Sequence, residues 1–303
     1  MAEASTGQVE LPPRSTPLTP LNDLLEQFDD QAETGVLDGP RYRIHHASLG
    51  EGPPLVLVPG MCSPSRIYAP LALALASSFR VVLYELAGMR TGDGANLSRY
   101  RIEDYPSDLL AVADHLGHKR FGLVGSSFGV SITTQTLVRA PERATRAIFL
   151  GGFALRRLVA SEQFLLNVLQ HWPGRMRHIP FMSMVTRYNH GLEIDHYAPE
   201  RTDFLVAQLG EAPVRAAAAQ ARAIHQTDLR ELLAEVRQPV LVVHGSDDRL
   251  VGAQQASEIA KRLMDVRVML IPQCGHFPHL SHPDVLAKAG ERFFGATTNE
   301  APS

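Results

Sequence analysis

Several short stretches of this chain are apolar almost from end to end: PLVLVPG (54–60), RVVLYELAG (80–88), RFGLVG (120–125), RAIFLGG (146–152) and QPVLVVHG (238–245). A strand that faced water on one side would alternate apolar and polar residues. These do not, so each is expected to be buried on both faces. Helix-patterned segments separate them: YAPLALALASSF, DYPSDLLAVADHLG with Pro106 in its first turn, FGVSITTQTLVRA, AQQASEIAKRLM and HPDVLAKAGERFF. Strands alternating with helices predict an α/β fold, a mostly parallel central sheet covered by helices on both faces. YRIHHASLG (42–50) and VRVMLIPQCGHF (266–277) add a strand at either end of the series.

The interval from Phe153 to Thr227 breaks this rhythm. It holds the single tryptophan, Trp172, and the alanine-rich helix APVRAAAAQARAIHQ, and it reads as a helical cap inserted between two strands. The expected organisation is a flexible N-terminal tail (1–20), a core formed by 21–152 and 228–296, the cap (153–227) and a C-terminal tail (297–303). LNDLLEQFDD has helical spacing and is expected to pack on the body.

With 303 residues, 45% of them hydrophobic, the chain can bury a core in one large domain with an insertion. A net charge of -3 gives no footprint for nucleic acid or for a strongly anionic surface. Two cysteines, Cys62 and Cys274, cannot build a disulfide framework. No basic-then-apolar leader and no run of 18 apolar residues is found, so no membrane span is expected, and a cytoplasmic location is the default. Oligomeric state is not readable.

Parallel sheets place working residues just past the carboxyl ends of their strands. After the strand ending GLVG comes Ser127, flanked by Gly125 and Gly129 and followed by a helix. A serine on such a sharp turn projects from the sheet edge and sits at the positive end of a helix, which suits a nucleophile. Ser126 lacks the symmetric glycines. A hydroxyl is a weak nucleophile and needs a base. His276, in QCGHFPH after another strand, is the candidate, while His279 and His282 read as surface-loop and helix-start residues. The base needs an acid, and Asp247 and Asp248 follow the strand VLVVHG; Asp248 is preferred.

The order Ser127, Asp248, His276, each behind its own strand, together with GSSFG, GSDDRLV and GHFPH, resembles the α/β-hydrolase superfamily, in its capped esterase and C–C hydrolase-like branch. The resemblance spans roughly residues 40–295, and APERA (140–144) also fits it. It implies a Ser-His-Asp triad and an oxyanion hole made by the backbone N–H groups of Phe128 and, in VPGMCS, of Met61. It implies neither cofactor nor metal. The expected function is hydrolysis of an ester or related acyl bond of a small, largely apolar substrate through an acyl-enzyme. C–C bond hydrolysis, a lyase or cofactor-free perhydrolase reaction on the same triad, or a non-catalytic ligand-binding role are the alternatives. Two positions depart from the family pattern: Pro59 precedes Gly60 where many relatives have histidine, and Glu85 stands where aspartate is common.

GMRTGDG (88–94) matches a dinucleotide-binding spacing, but no helix starts at its glycines and no Tyr-x-x-x-Lys exists. His115 and His118 lie three apart on a helix without an evident third ligand, and read as a solvated face. Cys62, Phe153, Trp172, Met176, Phe181 and Met184 are candidate pocket residues. Arg156, Arg157, Arg175, Arg177 and Arg187 stand against only Glu162 between 153 and 187 and read as a solvated basic face rather than an anion site.

Overall fold

A computed structural model of the protein describes residues 18–190, 192–195 and 198–295. Its strands are β1 (Glu33–Asp38), β2 (Arg43–Leu49), β3 (Pro54–Val58), β4 (Arg80–Tyr84), β5 (Phe121–Ser126), β6 (Ala144–Leu150), β7 (Val240–Gly245) and β8 (Val266–Ile271). They form one sheet in the order β1-β2-β4-β3-β5-β6-β7-β8. The β1/β2 and β2/β4 pairs are antiparallel and the rest parallel. Every residue of β5 and β7 is buried, as their unbroken apolar runs demand.

Helices α1 (Leu21–Gln31), α2 (Ala69–Leu75), α3 (Tyr105–His115) and α4 (Phe128–Arg139) belong to the first half of the sheet, and α10 (Gln254–Ala260), α11 (Pro278–Ser281) and α12 (Pro283–Gly295) to the second. Between β6 and β7 the chain is helical: α5 (Ala160–Leu169), α6 (Met182–His190), α7 (Leu192–Asp195), α8 (Pro199–Gly210) and α9 (Val214–Gln226). Alanine is the best helix former, and in α9 it also packs: Ala216, Ala217, Ala218, Ala219 and Ala223 are buried. Arg201 of α8 is fully buried and bridges distant segments, donating to Leu280 O and Thr19 O. That contact falls within the expected N-terminal tail, where Leu18 also packs on the core. Residues 1–17 and 296–303, which hold the rest of both expected tails, lie outside the described residues.

β1 was not anticipated. Its sequence, ETGVLD, buries only Leu37, so no apolar run marks it. It exists because β2 offers it a full antiparallel ladder, from Glu33 opposite Ser48 to Asp38 opposite Arg43.

Register decides where the strands end. Val58 lies opposite Gly125, Ser126 opposite Leu150, Leu150 opposite Val243 and Gly245 opposite Ile271. The carboxyl ends of β3, β5, β6, β7 and β8 therefore share one edge, and the turns leaving them converge there. The β5–α4 turn is among the tightest. A methyl built on Gly129 would fall 2.3 Å from Val58 O and 2.8 Å from Pro59 O, both fixed backbone atoms. Gly129→Ala is expected to lower stability by about 3 kcal/mol through this overpacking. Gly117→Ala meets open space at φ +74° and should lose only about 1 kcal/mol from its left-handed backbone. Urea titration of the two variants distinguishes them.

Candidate active site

Ser127 caps α4 with φ 52° and ψ -113°, a conformation that costs a non-glycine residue about 1–3 kcal/mol. Its N–H donates to Leu150 O at 2.8 Å, so the β5/β6 ladder runs one residue past the strand before the chain turns. Ser127 is half-buried, whereas Ser126, the last residue of β5, is buried within the sheet. Of the two serines only Ser127 stands on the turn.

His276 and Asp248 are both buried, and His276 Nδ1 donates to Asp248 Oδ2 at 2.7 Å. The other carboxylate oxygen accepts the N–H groups of Leu250 at 2.9 Å and Val251 at 3.0 Å, which locks the acid. Burial opposes the charge on Asp248. The positive pull of His276 and the hydrogen bonds around the carboxylate outweigh it and hold the acid far below the usual carboxylate range. His244 Nε2 lies 3.2 Å from Oδ2, a close contact without hydrogen-bond geometry. Asp247, by contrast, is exposed and engaged by Ser246 Oγ.

The Leu150–Gly151 backbone touches both the serine turn and the imidazole. Leu150 O receives the Ser127 N–H, and a methyl on Gly151 would fall 3.2 Å from both Cε1 and Nδ1 of His276. Ser127 Oγ makes no hydrogen bond to His276 among the described residues; the imidazole–carboxylate pair is formed, and the Leu150–Gly151 backbone contacts both it and the Ser127 turn. Such contacts commonly tighten only when substrate is bound.

The loop after β3 is held by side chains from three directions. Gly60 N–H donates to Tyr68 Oη at 2.8 Å, and Cys62 N–H to Gln220 Oε1 of α9 at 2.9 Å. Glu85 Oε1 accepts both the N–H and the hydroxyl of Ser65, at 3.1 and 2.9 Å. Burial raises the Glu85 acid, and the Ser65 hydrogen bonds counter part of that rise. Met61 lies between the two anchored amides, and its own N–H has no partner among the described residues; neither has that of Phe128, the first residue of α4. Those are the two donors expected for an oxyanion hole.

The pocket candidates separate. Phe153 and Cys62 are buried beside β6 and the β3 loop, and Met176 is half-buried against the core. Trp172, Phe181 and Met184 are exposed at 43%, 75% and 63%, on and around α5 and α6. Burial pushes the Cys62 thiol up to about 12, so it is a packed hydrophobe and not a thiolate. Cys274 is buried with its Sγ against Gly275 O and Ser281 Oγ.

His279 and His282 are not surface residues. His279 is fully buried and stacks on Tyr68 with 4.2 Å between ring centroids, and His282 Nδ1 pairs with Ser281 Oγ. Burial pushes His279 down to about 3, so it is neutral. The five arginines of 153–187 are all committed: Arg156 to Leu250 O, Arg157 to His225 O, Arg175 and Arg177 to Glu211, and Arg187 to Asp195 and Asp203. In GMRTGDG, Asp93 turns inward and accepts the N–H groups of Gly88 and Ala95, which makes the segment a loop closed on its own carboxylate.

Three residues at the site carried no sequence signal. His190 of α6 lies over His276, ring centroids 5.9 Å apart, with Nδ1 buried and unpartnered. Burial, then the nearby His276, push it down to about 3. Tyr68 and Gln220 are the other two. Only their partners' positions define them, and those positions are set by tertiary packing.

The family of the α/β hydrolase fold matches residues 53–283. The pimeloyl-[acyl-carrier protein] methyl ester esterase of Nitrosomonas europaea is 28% identical over 261 residues, 80% of this chain and 95% of that protein. The 2-hydroxymuconate semialdehyde hydrolase of Pseudomonas putida is 25% identical over 83% of this chain and 90% of that one. A thermophilic esterase from Thermogutta terrifontis superposes with a TM-score of 0.78 at 19% identity, over 88% of this chain and 99% of that chain. This chain belongs to the α/β-hydrolase fold family and is an enzyme with hydrolase activity.

Behind the β5–α4 turn lies a buried acid. Asp108 accepts a hydrogen bond from Tyr100 and stands 3.5 Å from Arg41, while Tyr105 packs edge-on against Phe128. Burial, only partly offset by Tyr100 and Arg41, raises Asp108 to about 6. A carboxyl raised in the folded state stabilises the protein below its unfolded pKa, and that contribution is lost as pH rises through the folded value. Stability should thus fall between about pH 4 and 6.5 on account of Asp108. In Asp108→Asn that component should vanish, so the melting temperatures of the two proteins should diverge in the variant's favour as pH rises. Melting curves at half-unit steps from pH 4.5 to 8 measure it.

Proposed function

We propose that the protein is a serine hydrolase that cleaves an ester or related acyl bond of a small, largely apolar substrate, with the helical segment 153–227 acting as a cap over the site. Ser127 is the nucleophile, His276 the base and Asp248 the acid that orients it. The observation that carries this reading is the buried 2.7 Å hydrogen bond between His276 and Asp248, set at the sheet edge beside the left-handed Ser127. With Nδ1–H committed to Asp248, Nε2 is left to take a proton.

In the proposed cycle His276 removes the hydroxyl proton of Ser127 as the oxygen attacks the acyl carbon. The Met61 and Phe128 N–H groups receive the developing oxyanion, a term worth about 10²–10³ in rate for each donor. His276 then returns the proton to the leaving group, and water repeats the sequence on the acyl-enzyme. Neutral His190 above the ring adds no competing charge.

A second reading, hydrolysis of a carbon–carbon bond by the same three residues, is supported by the match to the semialdehyde hydrolase. A vinylogous diketone assayed beside p-nitrophenyl esters of increasing acyl length separates the two by which substrate turns over.

A fluorophosphonate should label the wild-type protein and fail on Ser127→Ala. Asp248→Asn is expected to lower kcat by about 10³–10⁴ with little change in KM, because the imidazole loses its orienting partner. Labelling that persists in Ser127→Ala, or an Asp248→Asn variant within tenfold of wild type, overturns the assignment.

A further inference from the structure

Gln220 is fully buried on α9, and one end of its amide is accounted for: Oε1 accepts the Cys62 N–H at 2.9 Å. Orientation follows from the partner. A backbone N–H only donates, so the oxygen must face Cys62, and the NH₂ end is the one left over. Gln220 Nε2 is buried and has no partner among the described residues. A buried donor without an acceptor is costly, and such groups in native proteins usually serve a purpose. Its amide is anchored to the loop that carries the Met61 N–H, at Cys62, one residue beyond it.

The surroundings narrow what it can take. The five arginines of 153–187 are each engaged by a carboxylate or a carbonyl. Glu85, on the far side of the same loop, is an acid. His190 is kept neutral by its burial and by His276. The group that Gln220 offers here is therefore an uncharged amide donor. It suits an uncharged oxygen acceptor.

We infer that Gln220 determines specificity: its Oε1 fixes the β3 loop to the inserted helices, and its Nε2 donates to a neutral oxygen (an ether, carbonyl or hydroxyl) on the acyl chain, close to the scissile carbonyl. This rests on the reading of Ser127 as the nucleophile. The enzyme then prefers acyl groups bearing such an oxygen over their methylene isosteres, since an isostere leaves the amide donor buried and unpaired.

The test is a series of p-nitrophenyl esters in isosteric pairs, with an ether oxygen or a methylene at the third, fourth or fifth position of the acyl chain. Each pair's kcat/KM ratio is divided by its ratio of buffer hydrolysis. Wild type should favour the ether by about 5- to 100-fold at one position. Gln220→Glu, assayed at about pH 9 so that the buried acid is ionised, keeps an acceptor for the Cys62 N–H and removes the donor; Gln220→Leu removes both. Both should bring the corrected ratio to within about twofold of one. The ratio is the readout, because loosening of the loop would slow both members of a pair alike. Where Gln220→Leu fails to fold, Gln220→Glu decides alone. Corrected ratios near one at every position in wild type, or a preference that survives in Gln220→Glu, overturn the inference. Failure of a fluorophosphonate to label wild-type Ser127 overturns the parent reading instead.

Discussion

One hydrogen bond organises the site: the Ser127 N–H to Leu150 O. It carries the β5/β6 ladder past the last paired residues, Ser126 and Leu150, and holds Ser127 where its φ is positive. The strain there persists because everything around it is fixed. Val58 O and Pro59 O close on Gly129 from one side, and Leu150 O holds Ser127 from the other. The same Leu150–Gly151 segment leaves room for the His276 ring, which a side chain on Gly151 would crowd. Hydroxyl and imidazole are thus placed by a shared piece of backbone, which a change in either side chain would leave in position.

The loop after β3 depends on a different principle. It has no ladder to continue, so side chains take the place of one. Tyr68, Gln220 and Glu85 satisfy Gly60, Cys62 and Ser65 in turn, and the Met61 N–H between them is left unsatisfied. Pro59, where many relatives have histidine, has no N–H to satisfy. Glu85, in place of the common aspartate, has the additional methylene with which to reach Ser65. The two departures from the family pattern thus sit in one hydrogen-bonding arrangement.

How much of this was legible in the sequence follows from the range of each interaction. β3, β5, β6 and β7 announce themselves because burial on both faces makes consecutive central residues apolar, and Ser127 because its turn demands glycines at fixed offsets. Asp248 over Asp247 and His276 over its neighbours could be read from loop wording, and the structure places that pair in contact. β1 was hidden, since an edge strand with one buried residue has no pattern of its own. Gln220 and Tyr68 were hidden for a deeper reason. Gln220 lies 158 residues from Cys62, and nothing local marks a glutamine in an alanine-rich helix as an anchor. His279 was misjudged because a histidine near a helix start reads as polar, whereas here Tyr68 offers it a ring to stack on.

The insertion sets the limit on reading a pocket from residue type. Phe164, Trp172, Phe181, Met184 and Tyr188 are large and apolar, and all are exposed. A glutamine and a histidine of the insertion reach the β3 loop and His276. Apolar mass within the proposed cap therefore says little about what faces the nucleophile. A polar group there must be desolvated, and only a structure shows that Gln220 and His190 are. Both groups are uncharged: Gln220 is an amide, and burial, then the nearby His276, hold His190 down. The insertion thus brings an amide and an uncharged imidazole, and no free charge, to the β3 loop and the His276–Asp248 pair.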